Sequence, residues 1–338
     1  MPKFIPGLTL SELFYTEVVM PILESEFTNL KYSAGLIGSG SEVLGYDTQQ
    51  STDHHWGSRM LLFLSESDYG KNKDKLWTVL SERLPYNFRG YPTNFGKPDE
   101  FGVQLLEETN KGPVNHRVEI FTIRSFFKEY LHFDSHREVK TSDWLRFPEL
   151  KLLTITKGKI FHDDLNLNKI RKRFNYYPRD IWLHLLSLQW YRISQEEPFM
   201  GRCGDVGDEL GSKIIASRLV KHLMKLCFLM EKKYAPYSKW FGTAFAELQS
   251  TKKLIPICNT VLTTQSWRER EEHLSQAYSE VARLHNKLQI TKTIKTEVSK
   301  FHNRPYLIIH AKTFSDEIRQ IIVDKEIRDI PLDMDPVD

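Results

Sequence analysis

The residues of this chain that could act together chemically lie between Gly38 and Glu119. The peptide Gly38-Ser-Gly-Ser-Glu-Val-Leu-Gly45 follows a short apolar run. A strand that enters a Gly-Ser turn and then a short helix aims backbone N–H groups and a hydroxyl at one point. The partial positive charge of the helix N-terminus suits that point to a phosphate. Thirteen residues separate Ser39 from Asp53, and His55 follows two places on. Read as the opening of a strand, this segment puts Asp53 and His55 on one face, because strand side chains alternate. Glu119 is central to a later β-branched and aromatic run, His116-Arg-Val-Glu-Ile-Phe-Thr-Ile123. If the strands are neighbours, Asp53 and Glu119 converge beside the turn, and carboxylates beside a phosphate are what Mg²⁺ needs. On the residues alone the blander alternatives stay open: Asp53 bonding its own loop backbone, and Glu119 on the polar face of a half-covered strand.

A second group lies later. Gly201-Arg-Cys-Gly-Asp-Val-Gly-Asp-Glu-Leu-Gly-Ser212 reads as a glycine-punctuated loop opening a long helix. Asp208 is either its N-cap or, with Asp205 and Glu209, a group that positions or deprotonates an acceptor hydroxyl. Arg202 suits a triphosphate through its planar fork. In Tyr234-Ala-Pro-Tyr-Ser-Lys-Trp240, Lys239 could neutralise a phosphate and Tyr237 could stack on a base, against a plain packing role. Lys169-Ile-Arg-Lys-Arg173 reads as a solvated basic face. His162-Asp163-Asp164 is similar to the paired His-Asp of metal phosphohydrolases, but no second pair stands at matching spacing.

The elements that must position these residues change character along the chain. Thr9 to Glu12 has the form of a capping box ahead of helical apolar spacing. Residues 32–37, 59–64 and 116–123 read as strands, with one helix near 75–84. Residues 41–44, with Gly45 behind them, read as one helical turn. From 177 the pattern is helical, Pro178 suiting a first turn. A helix from 208 has Leu210, Ile214, Leu219, Leu223, Leu226 and Met230 facing inward, and another covers roughly 267–301. The expected fold class is α+β: a mixed β-sheet domain with helices over 1–142, then an all-α helical bundle over 143–338.

Composition narrows the function classes. Lys plus Arg is 47 and Asp plus Glu is 44, a net charge of +3, so no bulk grip on nucleic acid or anionic membrane is implied. The three cysteines form no CxxC pair, which argues against a disulfide framework or zinc ribbon. No apolar run is long and uncharged enough to span a bilayer, and the expectation is a cytoplasmic protein without a membrane partner. Walker A, GxGxxG and Gly-x-Ser-x-Gly motifs are absent.

The order Gly38-Ser39, thirteen residues, Asp53-His54-His55, then Glu119 resembles the nucleotidyltransferase superfamily with the DNA-polymerase-β-like fold. More closely, Ala34-Gly-Leu-Ile-Gly-Ser-Gly-Ser-Glu-Val-Leu-Gly45, Ser51-Thr-Asp-His-His-Trp-Gly57, and the peptides 201–212 and 234–240 resemble a bacterial family, domain of unknown function 4037. The superfamily resemblance implies a nucleotidyl transfer from an NTP to an acceptor: a small molecule, a protein or tRNA. It implies Gly38 and Ser39 on the triphosphate and Mg²⁺ or Mn²⁺ held by Asp53, His55 and Glu119. Arg202, Tyr237 and Lys239 on the nucleotide, Asp208 at the acceptor, and a homodimer are further expectations. His55 stands where the superfamily has a second carboxylate, and a neutral imidazole is a poorer Mg²⁺ ligand. That departure sets a nucleotide-binding or partner-binding module without catalysis beside the enzyme. A phosphohydrolase using His162 and Asp163 is the third reading.

Overall fold

The computed structural model describes residues 3–53 and 55–332, with Asp53 described through its backbone alone. The chain divides into two compact units, Met1–Asn175 and Tyr176–Asp338. The first unit is α+β and the second is helical.

The first unit opens with helices α1 (Gly7–Phe14) and α2 (Met20–Glu26), joined by a π-helical segment Tyr15–Val19. Pro21 lacks an N–H to continue the helical ladder, and the helix widens just before it. The helix starts before Thr9, with Pro6 rather than Thr9 at the N-cap, so the capping box is not formed. Strand β1 (Tyr32–Leu36) leads to the single-turn helix α3 (Ser41–Leu44). Strand β2 (Arg59–Leu64) is followed by α4 (Glu66–Arg83), which Ser65 caps through Asp68 N; it begins earlier than the sequence reading. The two-residue strands β3 (Asn87–Phe88) and β4 (Tyr91–Pro92) form a hairpin. Strand β5 (Arg117–Thr122) runs directly into α5 (Ile123–Leu131), where Thr122 and Ser125 form a reciprocal cap. Helices α6 (Thr141–Arg146) and α7 (Glu149–Lys157), strand β6 (Lys159–Asp163) and helix α8 (Leu167–Lys172) complete the unit.

The main sheet has the order β5-β2-β1-β6. β1 is antiparallel to β2 and β6, and β2 is parallel to β5. One face carries Ala34, Met60, Leu62, Val118 and Ile120 into a core with Leu10, Phe14, Leu76 and Leu80. Phe63 and Phe121, on the other face, pack edge-on against Phe126 of α5. The expected division at 142/143 falls inside this unit, because β6 is the sheet's edge strand beside β1. Arg171 is buried, with its guanidinium on the carbonyls of Ile155, Thr156 and Gly158. The basic run at 169–173 is therefore a solvated face at Lys169 and Lys172, which are exposed, but not at Arg171.

The second unit comprises α9 (Arg179–Glu196), α10 (Phe199–Asp205), α11 (Glu209–Met230), α12 (Ser238–Ala246), α13 (Leu254–Thr263), α14 (Trp267–Lys287), α15 (Ala311–Gln320) and α16 (Lys325–Arg328). A two-residue pair, β7 (Ser299–Lys300) with β8 (Leu307–Ile308), interrupts it. Helix α14 ends at Lys287 rather than near Phe301, and Gln289 is left-handed just beyond. In α11 the buried stripe is Ser212, Ala216, Leu219, Leu223, Leu226 and Met230. Its alternating steps of four and three put Leu210 and Ile214 on the opposite side, and both are exposed, contrary to expectation. Among the described residues no helix is long and apolar enough to cross a membrane.

Candidate functional site

Sheet topology determines which side chains meet. β1 ends where β2 and β5 begin, so the Gly-Ser turn, Arg59 and Arg117 share one end of the sheet. Gly38 and Gly40 have φ of +91° and +139°, regions that L side chains rarely adopt. Gly45 closes α3 in the left-handed conformation, as expected. Ser39 is exposed, and among the described residues the Ser39 and Ser41 hydroxyls have no hydrogen-bond partner. The turn is held from beneath by Arg59: Nη2 donates to the Ser39 carbonyl at 2.5 Å, and Nε donates to Glu42 Oε1 at 2.7 Å. The Arg59–Glu42 ion pair is buried on both sides.

Arg117 is the cross-strand partner of Arg59, and Glu119 is that of Leu61. Residues 117 and 119 lie on one face of β5, as alternation requires. Arg117 Nη2 donates to Glu119 Oε1 at 2.8 Å, and Nη1 lies 2.7 Å from His55 Nδ1. The guanidinium also lies over the Phe95 ring, 5.7 Å from its centroid. Because arginine only donates, His55 Nδ1 is the acceptor of this bond.

His55 does not reach this position along a strand. Residues Gln49–Asp53 form a 3₁₀ turn, and His55 is left-handed at φ +51°. Ser51 Oγ accepts from Thr48 N at 3.0 Å and Thr52 Oγ1 donates to Gln49 O at 2.8 Å. Such local bonds compete with extended backbone. β2 therefore starts at Arg59, and the strand expected to align Asp53 and His55 on one face is absent there. The His55 N–H donates to Gln104 O at 3.0 Å, which fixes the segment against the loop after β4. The side chain of Asp53 and all of His54 lie outside the described residues. Asp47 serves the fold: its Oδ2 accepts from Gly7 N at 2.6 Å and Trp56 Nε1 at 2.9 Å.

Mg²⁺ prefers oxygen ligands and a negatively charged site. Here one carboxylate, Glu119, is already paired with a guanidinium, and the His55 lone pair facing it is occupied by the same group. Among the described residues no three His, Cys, Asp or Glu side chains gather as a metal site. The described residues do not fit a divalent cation. Arg117 was the group missed from sequence; its place two residues before Glu119 on one strand was the available signal.

The other candidates have structural partners. Asp163 accepts from Ser33 Oγ at 2.7 Å, Leu167 N at 2.7 Å and Asn168 N at 3.0 Å, so it ties β6 to β1 and α8. His162 Nε2 pairs instead with Asp164 at 2.8 Å, and that imidazole holds the Asp164 carboxyl below its ordinary pKa. In the second unit, residues 201–205 belong to helix α10 rather than to a loop. Gly204 is required because a Cβ there would enter the Trp267 ring. Asp205 Oδ2 accepts from the Tyr306 hydroxyl at 2.9 Å, and Asp208 Oδ1 caps α11 through Gly211 N at 2.7 Å. Glu209 accepts from Trp267 N and from Arg270 Nη1, both at 3.0 Å. Arg202 is exposed and lies over Phe199. Tyr237 and Lys239 are exposed where α12 begins, and Lys239 lies over Trp240. The peptide holding them links α11 to α12 and enters the first turn of α12.

One solved structure similar to this chain is that of a nucleotidyltransferase-like protein from Exiguobacterium sibiricum 255-15. It is 9% identical, with a TM-score of 0.35, over 87% of this chain and 82% of that one. No curated protein matches the chain. Residues 144–241, which include the glycine-rich α10 peptide and the peptide 234–240, match the family described as a domain of unknown function (DUF4037).

Proposed function

We propose that the first unit binds a nucleoside triphosphate at the β1–α3 turn, as a nucleotide-binding module of the nucleotidyltransferase kind. The observation that carries this reading is the meeting, at one end of the sheet, of the Gly38–Ser39 turn with the Arg59 and Arg117 strand starts. Ser39 offers an exposed hydroxyl for a phosphate oxygen, and the turn adds backbone donors. Arg117 uses two N–H groups on His55 and Glu119 and keeps further donors of its planar fork for phosphate. A thermal-shift panel of the four NTPs tests it. Stabilisation by an NTP that Ser39→Ala diminishes is the expected result; no response to any NTP contradicts it.

A second reading, nucleotidyl transfer to an acceptor, is favoured by Glu119, central in β5 and partly exposed. Incorporation of label from an NTP into a metabolite, protein or RNA pool tests it, with Glu119→Gln as the control that should abolish incorporation.

A further inference from the structure

The described part of the rim is charge-compensated from within the chain. Glu42 is balanced by Arg59 and Glu119 by Arg117, whose guanidinium also lies 2.7 Å from His55 Nδ1. A metal-binding rim of the kind the resemblance implies would instead present uncompensated carboxylates. The guanidinium is fixed from three sides: the His55 imidazole, the Glu119 carboxylate and the Phe95 ring. It is also largely shielded from solvent, its side chain 16% exposed. His55 reaches it only through a left-handed backbone and the bond from its N–H to Gln104 O. Both the backbone and the loop after β4 are thus arranged around the cation.

We infer that Arg117 supplies the positive charge that a divalent metal ion supplies at sites of this kind, so that the site takes a triphosphate as its metal-free anion. The inference rests on the nucleotide reading above, but its first test does not. A cation within hydrogen-bond reach of both His55 and Glu119 repels a second one, and it occupies the imidazole lone pair that a metal would need. A triphosphate meets a fixed donor there rather than a carboxylate array.

The test uses Mn²⁺ alone, titrated calorimetrically into the full chain. Wild type should show no Mn²⁺ site that depends on Glu119. Arg117→Gln should gain one, with affinity raised by about tenfold or more, and Arg117→Gln with Glu119→Gln should lose it again. A wild-type Mn²⁺ site that Glu119→Gln removes would overturn the inference, as would no gain in a folded Arg117→Gln protein. Should that variant fail to fold, the wild-type arm still decides, together with NTP affinity in EDTA against Mg²⁺. Equal affinity supports the inference, and a strict Mg²⁺ requirement overturns it. If no NTP binds under either condition, the nucleotide reading fails while the Mn²⁺ arms still decide the role of Arg117.

Discussion

Nη1 of Arg117 lies 2.7 Å from Nδ1 of His55, so that ring nitrogen is engaged by a guanidinium donor. By sequence alone, His55→Asp should strengthen Mg²⁺ binding. With Arg117 in place, the new carboxylate gains a salt-bridge partner instead. His55→Asp should therefore keep the fold and leave Mn²⁺ affinity near wild type, while His55→Asp combined with Arg117→Gln should bind Mn²⁺ most tightly of the set. Isothermal titration of the variants ranks them. A large gain from His55→Asp alone would refute the ordering.

The Arg59–Glu42 pair supports the turn through the Ser39 carbonyl. Removing one partner leaves the other charge buried and unpaired, at a cost of about 3–5 kcal/mol. Urea denaturation of Glu42→Ala should show a loss of that order. Ser39→Ala, at an exposed position, should stay within about 0.5 kcal/mol of wild type while weakening NTP binding. The two variants thus separate support of the turn from contact with the ligand.

Glycines of the second unit provide a contrasting pair. A Cβ at Gly204 would enter the Trp267 ring, so Gly204→Ala should destabilise by about 1–3 kcal/mol. Gly242, within α12, has open space around it. Gly242→Ala should stabilise by about 0.5–1 kcal/mol through helix propensity. Equal effects in denaturant titrations would contradict the packing described for α10.

Glu197 sets a pH dependence. Burial pushes its carboxyl from 4.5 up to about 8, although it accepts N–H bonds from Ile309 at 3.0 Å and Ala311 at 3.2 Å. A raised folded pKa gives stability that is complete below the unfolded value and lost as pH climbs through the folded one. Burial lowers His184, His222 and His285 to about 4, so their contribution is present above the ordinary 6.5 and lost as pH falls toward 4. Above 6.5 only Glu197 of these four changes, and the melting temperature should fall between pH 6.5 and 8.5. Glu197→Gln should flatten that limb, and an unchanged slope in the variant would remove Glu197 as its cause.

What the sequence disclosed follows from what each element requires. The apolar runs at 32–36 and 59–64 are buried strands and read as such. The edge strand Lys159–Asp163 alternates poorly and is only half covered, which hid the fourth strand and misplaced the boundary between units. That Gly38 and Ser39 lie in a turn after β1 and Glu119 midway along β5 was legible because a short turn and a central strand position are local features. The grip of Arg117 on His55 was not. It depends on the register that pairs Arg59 with Arg117 and on a left-handed residue where alternation predicted a strand. Ser/Thr bonding in the 3₁₀ turn at 49–53 overrode that alternation.

The proposed triphosphate site is built around Arg117 and the β1–α3 turn. A crystal structure of the wild-type chain grown with an NTP in EDTA tests it most directly. Phosphate oxygens should lie within hydrogen-bond distance of Ser39 and the Arg117 guanidinium, with Arg117 still on His55 and Glu119. A triphosphate bound on another surface, or one that enters only with a metal ion seated between His55 and Glu119 and Arg117 swung away, would contradict it.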